Sequence, residues 1–309
     1  MSMWQRRAPC PPLRSRRLAT LLSRERPGAI VGSKCLTRPL RIRFRRPVPE
    51  FTGSWNARRA NLPGWLFVVL VTVLVEASIR LFDLHDSVAA PSSTFRALAE
   101  GMSSGTLSGE IGTTLESYAE GFALAIVAGV VLGVVIGSSR TLLDASSVVI
   151  EFLRPIPAVA LIPLAILLFG LGTPMRGFVI AYAAVWPILM NTLYGVRGTD
   201  RVLHDVARTS GVTRLGALFR VTLPAALPSI ATGIRVSASI ALLVGVTAEF
   251  VTGTEGVGAY MQRQQFAYQI PELYAAVVLI GALGYTINAL LRVAERRLVF
   301  WVGEERVVR

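Results

Sequence analysis

The chain of 309 residues contains one lysine, Lys34, two histidines and two cysteines. The Gly-rich loop that binds nucleotide phosphates ends in Lys followed by Ser or Thr, and no such sequence occurs, so the chain does not bind ATP by that route. Cys10 and Cys35 both precede residue 60, which excludes a disulfide framework or a Cys-based metal site from the rest of the chain. No nucleophile beside a base and no metal-ligand cluster stands out, so we expect no catalytic residue, no metal and no cofactor.

Basic residues are concentrated at the N-terminus. Residues 1–60 hold 15 of the 32 basic residues and 2 of the 19 acidic ones, so the net charge of +13 belongs to this segment and the remainder is neutral. Because it is rich in Arg and Pro and has no apolar period, we expect a disordered cytoplasmic tail. Three interpretations stay open: contact with anionic lipid headgroups, binding of nucleic acid, or poorly constrained sequence from a start codon placed too early. For the neutral remainder we expect no nucleic-acid partner.

The remainder is too hydrophobic for an ordinary globular surface. Apolar residues make up 52% of the chain, and the mean hydropathy is +0.54. A helix needs about 20 apolar residues to cross a bilayer, and six stretches reach that length: 62–82, 113–137, 147–170, 177–196, 227–252 and 273–293. The runs lack strand alternation, and an open sheet would leave backbone groups unpaired in lipid. The prediction is an all-α polytopic membrane protein, with a six-helix domain over 61–302 and a cytoplasmic C-terminal tail over 303–309.

Arginine placement predicts the orientation of these helices. With a cytoplasmic N-terminus, the inside segments are 138–146, 197–226 and 294–309, and eleven arginines lie in or beside them. The outside segments contain only Arg96, Arg176 and Arg263. Because cytoplasmic loops carry an excess of Lys and Arg, we expect both termini to be cytoplasmic.

Small residues and prolines distinguish two of the stretches. Along the second, a small residue recurs every four positions and predicts a face that another helix approaches closely: Ala125, Gly129, Gly133 and Gly137. The third contains prolines, which free backbone carbonyls and bend a helix: Pro155, Pro157 and Pro163. This third helix either lines a transport pathway or is a bent packing helix.

Ionisable residues inside a span are costly and are therefore candidates for function. Glu151 and Arg154 are three residues apart on one helix face, so they either neutralise each other or serve in gating or a pathway. Arg235 and Glu249 are fourteen residues apart in the fifth stretch, about 21 Å along a helix, which is too far to pair. Arg235 either lines the path of an anionic solute or extends to the cytoplasmic interface. Glu249, near the outer end, makes either an external contact or a helix-end hydrogen bond.

The segment 197–226, between the fourth and fifth stretches, is too polar for a span and too regular for a passive linker. Apolar residues recur at helical spacing in both of its halves: Val202, Val206 and Ala207, then Leu215, Leu218 and Phe219. Gly211 separates the halves and is free to take positive φ, and Pro224 suits the start of the next helix. The pattern predicts two short amphipathic helices at a right-angled elbow, able to place an apolar stripe in a partner's groove.

This segment resembles the EAA loop of bacterial ABC-importer permeases. The family pattern is Glu-Ala-Ala, three residues, Gly, nine residues, Ile, one residue, Leu-Pro. Asp205-Val206-Ala207, Gly211 and Val221-x-Leu223-Pro224 match that spacing without a gap, with Asp for Glu and Val for Ala and Ile. In the family this loop is the coupling helix, seated in a cleft of the cytoplasmic ATPase. The resemblance implies that Asp205 and Ala207 lie at the ATPase contact and that Gly211 sets the elbow.

Two further motifs are similar to the nitrate/sulfonate/taurine subgroup of that family. One runs from Glu151 through Pro155 and Pro157, and the other is Ala248-Glu249-Phe250 followed by Gly256-Val257-Gly258. The resemblance implies a permease subunit in the bacterial inner membrane that carries a small, anionic solute. Its implied partners are a second permease copy in a homodimer, membrane lipid, an ATPase dimer that holds ATP and Mg, and a periplasmic or lipid-anchored binding protein. ATP hydrolysis would belong to the separate subunit, so the chain itself is not expected to be an enzyme.

Two other classes of function make different predictions. A secondary transporter or channel driven by an ion gradient predicts inverted repeats with broken helices at corresponding positions. We find no such pairing between 62–196 and 197–293. A membrane-embedded enzyme needs convergent polar residues within its spans, and the sequence has only scattered single charges there.

Overall fold

The computed structural model describes residues 62–82 and 88–298, so the predicted tails at 1–60 and 303–309 lie outside the described residues. All regular structure in the described ranges is helical. A 3-10 turn at Ala158–Leu161 and a π-helical turn at Leu218–Thr222 lie between α-helices. The α-helices are α1 Leu62–Leu81, α2 Pro91–Ser103, α3 Thr106–Ser138, α4 Arg140–Leu153, α5 Ile162–Phe169, α6 Thr173–Arg197, α7 Arg201–Thr209, α8 Arg214–Ala217, α9 Leu223–Thr252, α10 Val257–Phe266 and α11 Ile270–Leu298.

Among the described residues, four helical segments are long and apolar enough to cross a membrane: Thr106–Ser138, Thr173–Arg197, Arg214–Thr252 and Ile270–Arg297. The second, fourth, fifth and sixth predicted stretches lie inside these segments, which confirms those four predictions. The first stretch coincides with α1, whose crossing of the membrane stays a prediction. Large apolar side chains such as Leu167 and Leu243 remain mostly exposed on the helix surfaces, as expected where lipid is the solvent. The chain is therefore a multi-pass membrane protein.

The third predicted stretch is two helices rather than one. The segments Arg140–Leu153 and Ala158–Phe169 meet at a bend of 82° and count together as a fifth candidate span. Pro157 lacks the N–H that would donate to the carbonyl of Leu153 in a continuous helix. That carbonyl accepts the Ile156 N–H at 3.2 Å and the Tyr182 hydroxyl of α6 at 2.6 Å. The bend is therefore stabilised by a neighbouring helix.

α6 lies between α3 and α9 at the centre of the packing. Its Ala184 and Ile188 are fully buried in a cluster with residues of both neighbours. The Ser237 hydroxyl of α9 donates to the Ala184 carbonyl at 2.7 Å. These contacts pack α6 against both α3 and α9.

The small-residue face of α3 packs against α6. A Cβ at Gly129 would lie 2.8 Å from Ile188 Cβ, and one at Gly133 would lie 2.6 Å from Thr192 Cβ. At Gly137 the nearest atom would be Val196 Cγ1, at 3.0 Å. Ala125 is 1% exposed on the same face. Real Cβ atoms do not approach other carbon atoms this closely. Glycine at these positions therefore allows α3 and α6 to lie so near each other.

Candidate functional site

The segment 197–226 begins with a well-capped helix. The Asp200 carboxylate accepts the Val202 N–H at 3.0 Å, which starts α7. α7 ends before Gly211, whose φ of +74° lies in the left-handed region that favours glycine. The Thr213 hydroxyl then accepts the Gly216 N–H at 3.2 Å and starts α8. The structure thus has two helical arms on either side of Gly211.

The second arm differs from the prediction of a separate short helix. α8 continues through the π-helical turn into α9, so that Arg214–Thr252 forms one helical segment of 39 residues. Pro224 lies in the first turn of α9 and has no N–H to donate. Just before it, the Leu223 N–H donates to the Leu218 carbonyl, five residues back, rather than four. The chain therefore passes from the segment into the span without a break, with Val221 half-buried inside the π-helical turn.

Both arms present apolar side chains to the surface, and we call these the docking face: Val202, Leu203, Val206, Leu215 and Phe219. Val206 is 57% exposed, and Phe219 is 60% exposed. Ala207, expected at a partner contact, is only 5% exposed and faces inward. Asp205 is exposed beside the docking face.

A cavity of about 590 Å³ lies behind α7 and is lined by Asp205, Arg208, Val212 and Leu218, among other residues. His204 also lines it and is half-buried. Its Nδ1 is 3.2 Å from the Asp200 carbonyl, and its Nε2 is 3.2 Å from Thr222 Oγ1. Nothing in the sequence near His204 signals this contact, because its partner is 18 residues away.

A second cavity of about 620 Å³ lies between α4 and α6 and holds the predicted pathway pair. Glu151 and Arg154 line it together with Tyr194 and Arg197. Both members of the pair are exposed, and no ion pair joins them in the described part of the chain. The structure therefore does not form the mutual neutralisation that their spacing suggested.

Arg235 pairs with a residue that the sequence did not indicate. Its guanidinium forms an ion pair with the Glu295 carboxylate of α11. The pair joins α9 to α11, sixty residues apart, and both alternatives for Arg235 stay predictions. Proximity of this kind is invisible to local patterns because it depends on how the helices pack.

Glu249 lies at the end of α9 and is 1% exposed. Its carboxylate accepts the Thr114 hydroxyl of α3 at 2.9 Å and the Gly258 N–H of α10 at 3.1 Å. The Thr114 hydroxyl in turn accepts the Val257 N–H at 2.9 Å. A Cβ at Gly256, where φ is +96°, would lie 2.3 Å from Glu249 Cδ. Of the two roles open for Glu249, the geometry is that of a buried helix-end hydrogen bond.

The three arginines that were predicted to lie outside each pair with a glutamate. Arg176, expected in a loop, lies in the first turn of α6 and is fully buried, where it donates to the Glu255 carbonyl at 3.0 Å. Arg263 pairs with the Glu110 carboxylate. Arg96 pairs with Glu100 at 2.8 Å, and this hydrogen bond raises the pKa of the Arg96 guanidinium. Glu110, Thr114 and Glu255 went unnoticed in the sequence because their partners are distant along the chain.

Comparison with known proteins identifies relatives of this arrangement. Residues 125–303 match the family described as binding-protein-dependent transport system inner membrane component. A probable ABC transporter permease protein of Brucella melitensis is 36% identical over 152 residues, 49% of this chain and 62% of that protein. A putative aliphatic sulfonates transport permease protein of Escherichia coli K12 is 34% identical over 160 residues, 52% of this chain and 60% of that protein. A nitrate import permease protein of Leptolyngbya laminosa is 33% identical over 163 residues, 53% of this chain and 58% of that protein.

The match therefore spans about three fifths of the length of these relatives. Among solved structures, an inward-facing methionine ABC transporter, MetNI, contains a similar chain. The TM-score is 0.53 at 21% identity, and the match covers 62% of this chain and 94% of the other. At that identity the likeness concerns the fold alone.

Proposed function

Because the chain belongs to the family of binding-protein-dependent transport system inner membrane components, we propose that it is the permease subunit of an ATP-driven importer. The observation that carries this proposal is the docking face. An exposed apolar surface occurs at the segment whose spacing matches the family's coupling motif: it covers α7, between two candidate spans, and the first turns of the helical segment Arg214–Thr252. A solvated apolar surface of this kind is typical of a protein-protein contact. We assign α7 as the coupling helix of this permease, with Asp205 and Val206 at the contact and Ala207 supporting them from behind.

The proposed topology has six spans: α1, α3, the bent pair 140–169, α6, α9 and α11. They form the permease domain over 61–302, with both termini and the coupling segment 197–226 on the cytoplasmic side. The arginine bias supports this orientation. The Glu249 cluster and the three paired outside arginines then lie together on the periplasmic side.

The proposed partners bind the nucleotide and deliver the solute. An ATPase dimer would bind ATP and Mg, since the sequence has no phosphate-binding loop. Two permease copies would surround a central path, and a periplasmic or lipid-anchored binding protein would deliver the solute. ATP binding would draw the two α7 helices together and turn the spans outward, and hydrolysis would reset them.

The proposed solute is small and anionic. Its support comes from the names of the sulfonate and nitrate relatives. The cavity between α4 and α6, where Arg154 and Arg197 lie, offers guanidinium groups that suit an anion. Pro155 and Pro157 would place the bend of the third span beside that cavity. In this proposal Glu249 and Arg235 stabilise the helix packing and do not contact the solute.

The test compares two glycines that both have positive φ. Gly211 has φ of +74° and Gly105 has φ of +79°, and a Cβ at either would meet no atom closer than 3.9 Å. A valine at either position therefore costs about 1–2 kcal/mol of backbone strain without a steric clash. We expect Gly211→Val to lose co-purification with the ATPase and solute uptake, whereas Gly105→Val keeps both. Equal behaviour of the two variants, or uptake in a strain without the ATPase, would contradict the proposal and favour an ion-gradient-driven transporter.

A further inference from the structure

α7 has few ties to the helices that it would have to move. At its C-terminal end the Val212 N–H donates to the Ala207 carbonyl at 3.0 Å, which closes the turn around Gly211. The cavity of about 590 Å³ lies along the side of α7 that carries His204, Asp205 and Arg208. Among the side chains that the structure describes, one hydrogen bond joins α7 to the segment that leads into α9, and it is the bond between His204 Nε2 and Thr222 Oγ1.

Thr222 lies where movement of the segment would reach the membrane. It is 4% exposed and is the last residue of the π-helical turn, directly before α9. α9 then continues for 30 residues, or about 45 Å. π-helical turns are uncommon and are often found at functional positions. A force applied at Thr222 therefore acts on the residue that directly precedes α9.

The His204 ring contacts both the residue that caps α7 and Thr222. Its Nδ1 faces the carbonyl of Asp200, the residue that caps α7, and a carbonyl only accepts, so Nδ1 carries a hydrogen. In the neutral ring, Nε2 accepts the Thr222 hydroxyl hydrogen. In the imidazolium, Nε2 donates to Thr222 Oγ1, and that hydroxyl can donate to the Ala217 carbonyl at 3.4 Å. The bond is present in either charge state, so it is a mechanical connection rather than a pH switch.

We propose that His204 is a positioning residue that, through Thr222, makes α7 and the start of α9 move together. This inference rests on the proposed function, in which an ATPase displaces α7. The covalent route from α7 to α9 passes through the turn at Gly211, where open space and a flexible glycine allow displacement to be absorbed. With the His204–Thr222 bond intact, a displacement of α7 is transmitted to α9. Without this bond, α7 still moves with the ATPase, but its displacement is not transmitted to α9.

The test removes the Thr222 hydroxyl. The permease–ATPase complex is reconstituted in proteoliposomes, and the number of solute molecules carried per ATP hydrolysed is measured. Thr222→Val keeps the shape of the side chain and removes the bond, whereas Thr222→Ser keeps the hydroxyl. Thr209→Val is the matched control, because the Thr209 hydroxyl donates only to the Val206 carbonyl within α7. We expect Thr222→Val to co-purify with the ATPase and hydrolyse ATP, with solute carried per ATP reduced about two- to tenfold, the range for one lost hydrogen bond.

Thr222→Ser and Thr209→Val should carry solute per ATP at the wild-type ratio. His204→Phe should reproduce the Thr222→Val ratio, and the double variant should be no worse than either single one, because both remove the same bond. A wild-type ratio in Thr222→Val overturns the inference. Loss of ATPase binding by Thr222→Val also overturns it, because the bond would then shape the docking face rather than transmit its movement. Failure of the wild-type chain to bind any ATPase would instead reject the proposed function.

Discussion

Truncation of Val206 to alanine should weaken ATPase binding by a calculable amount. The Val206 side chain is 57% exposed on α7 and lies between Asp205 and the buried Ala207. Val206→Ala removes two methyl groups without adding charge, and alanine favours a helix, so α7 itself should persist. The change therefore acts on the surface that the partner would cover.

The expected size follows from the exposed fraction. Two buried methyl groups are worth roughly 1.6 kcal/mol at about 0.8 kcal/mol each. Only the part that is still exposed in the isolated chain, 57%, can be covered by a partner, which leaves about 0.9 kcal/mol. Because 1.4 kcal/mol is a factor of ten, the dissociation constant should rise about fourfold to fivefold.

The assay is a titration of fluorescently labelled permease in nanodiscs with the purified ATPase. Val251→Ala is the matched control, since Val251 is 52% exposed but lies at the opposite end of α9. We expect its dissociation constant to equal that of the wild type. An unchanged affinity for Val206→Ala, or an equal loss for both variants, would refute the assignment of α7 as the docking helix.

Three further variants test the packing by the thermal stability of the purified protein. Gly133→Ala should lower the Tm, because its Cβ would lie 2.6 Å from a carbon of α6, whereas Gly112→Ala, with nothing within 4 Å on the same helix, should not. Thr114→Val should lower the Tm through a loss of about 1–3 kcal/mol, because it leaves the buried Val257 N–H without an acceptor and removes one of the two hydrogen bonds to the Glu249 carboxylate, whereas Thr113→Val should have little effect. Tyr182→Phe should reduce the Tm and loosen the bend after α4, as measured by distances between spin labels on α4 and α5. An unchanged Tm in Gly133→Ala or Thr114→Val would contradict these contacts. So would unchanged distances between the spin labels on α4 and α5 in Tyr182→Phe.

The sequence allowed much of the helical layout to be predicted, because apolar length is a local property. Four predicted stretches lie inside long apolar helices, and the prolines at 155 and 157 lie at the observed bend. The bend angle and the Tyr182 contact could not be predicted, since they depend on where α6 packs. The continuation of α8 into α9 was also missed, because Pro224 suggested a new helix rather than the first turn of one already running.

The candidate site was predicted by position but not by orientation. The motif located 205–207 on a helix between spans, but which of these side chains faces outward depends on how α7 rests on its neighbours. The structure turns Ala207 inward and leaves Val206 exposed. The Glu249–Thr114 contact escaped notice for a similar reason, since 135 residues separate its partners.

The most direct test of the central claim is a cross-link from α7. Both natural cysteines, Cys10 and Cys35, can be replaced by serine, so that a single new thiol reports on its own surroundings. With a thiol-directed photo-cross-linker on Val206→Cys, we predict a covalent product with the ATPase subunit in membranes, and none from the same probe on Val251→Cys. No product from position 206 in an assembled, transporting complex would contradict the claim that α7 is the ATPase-docking helix.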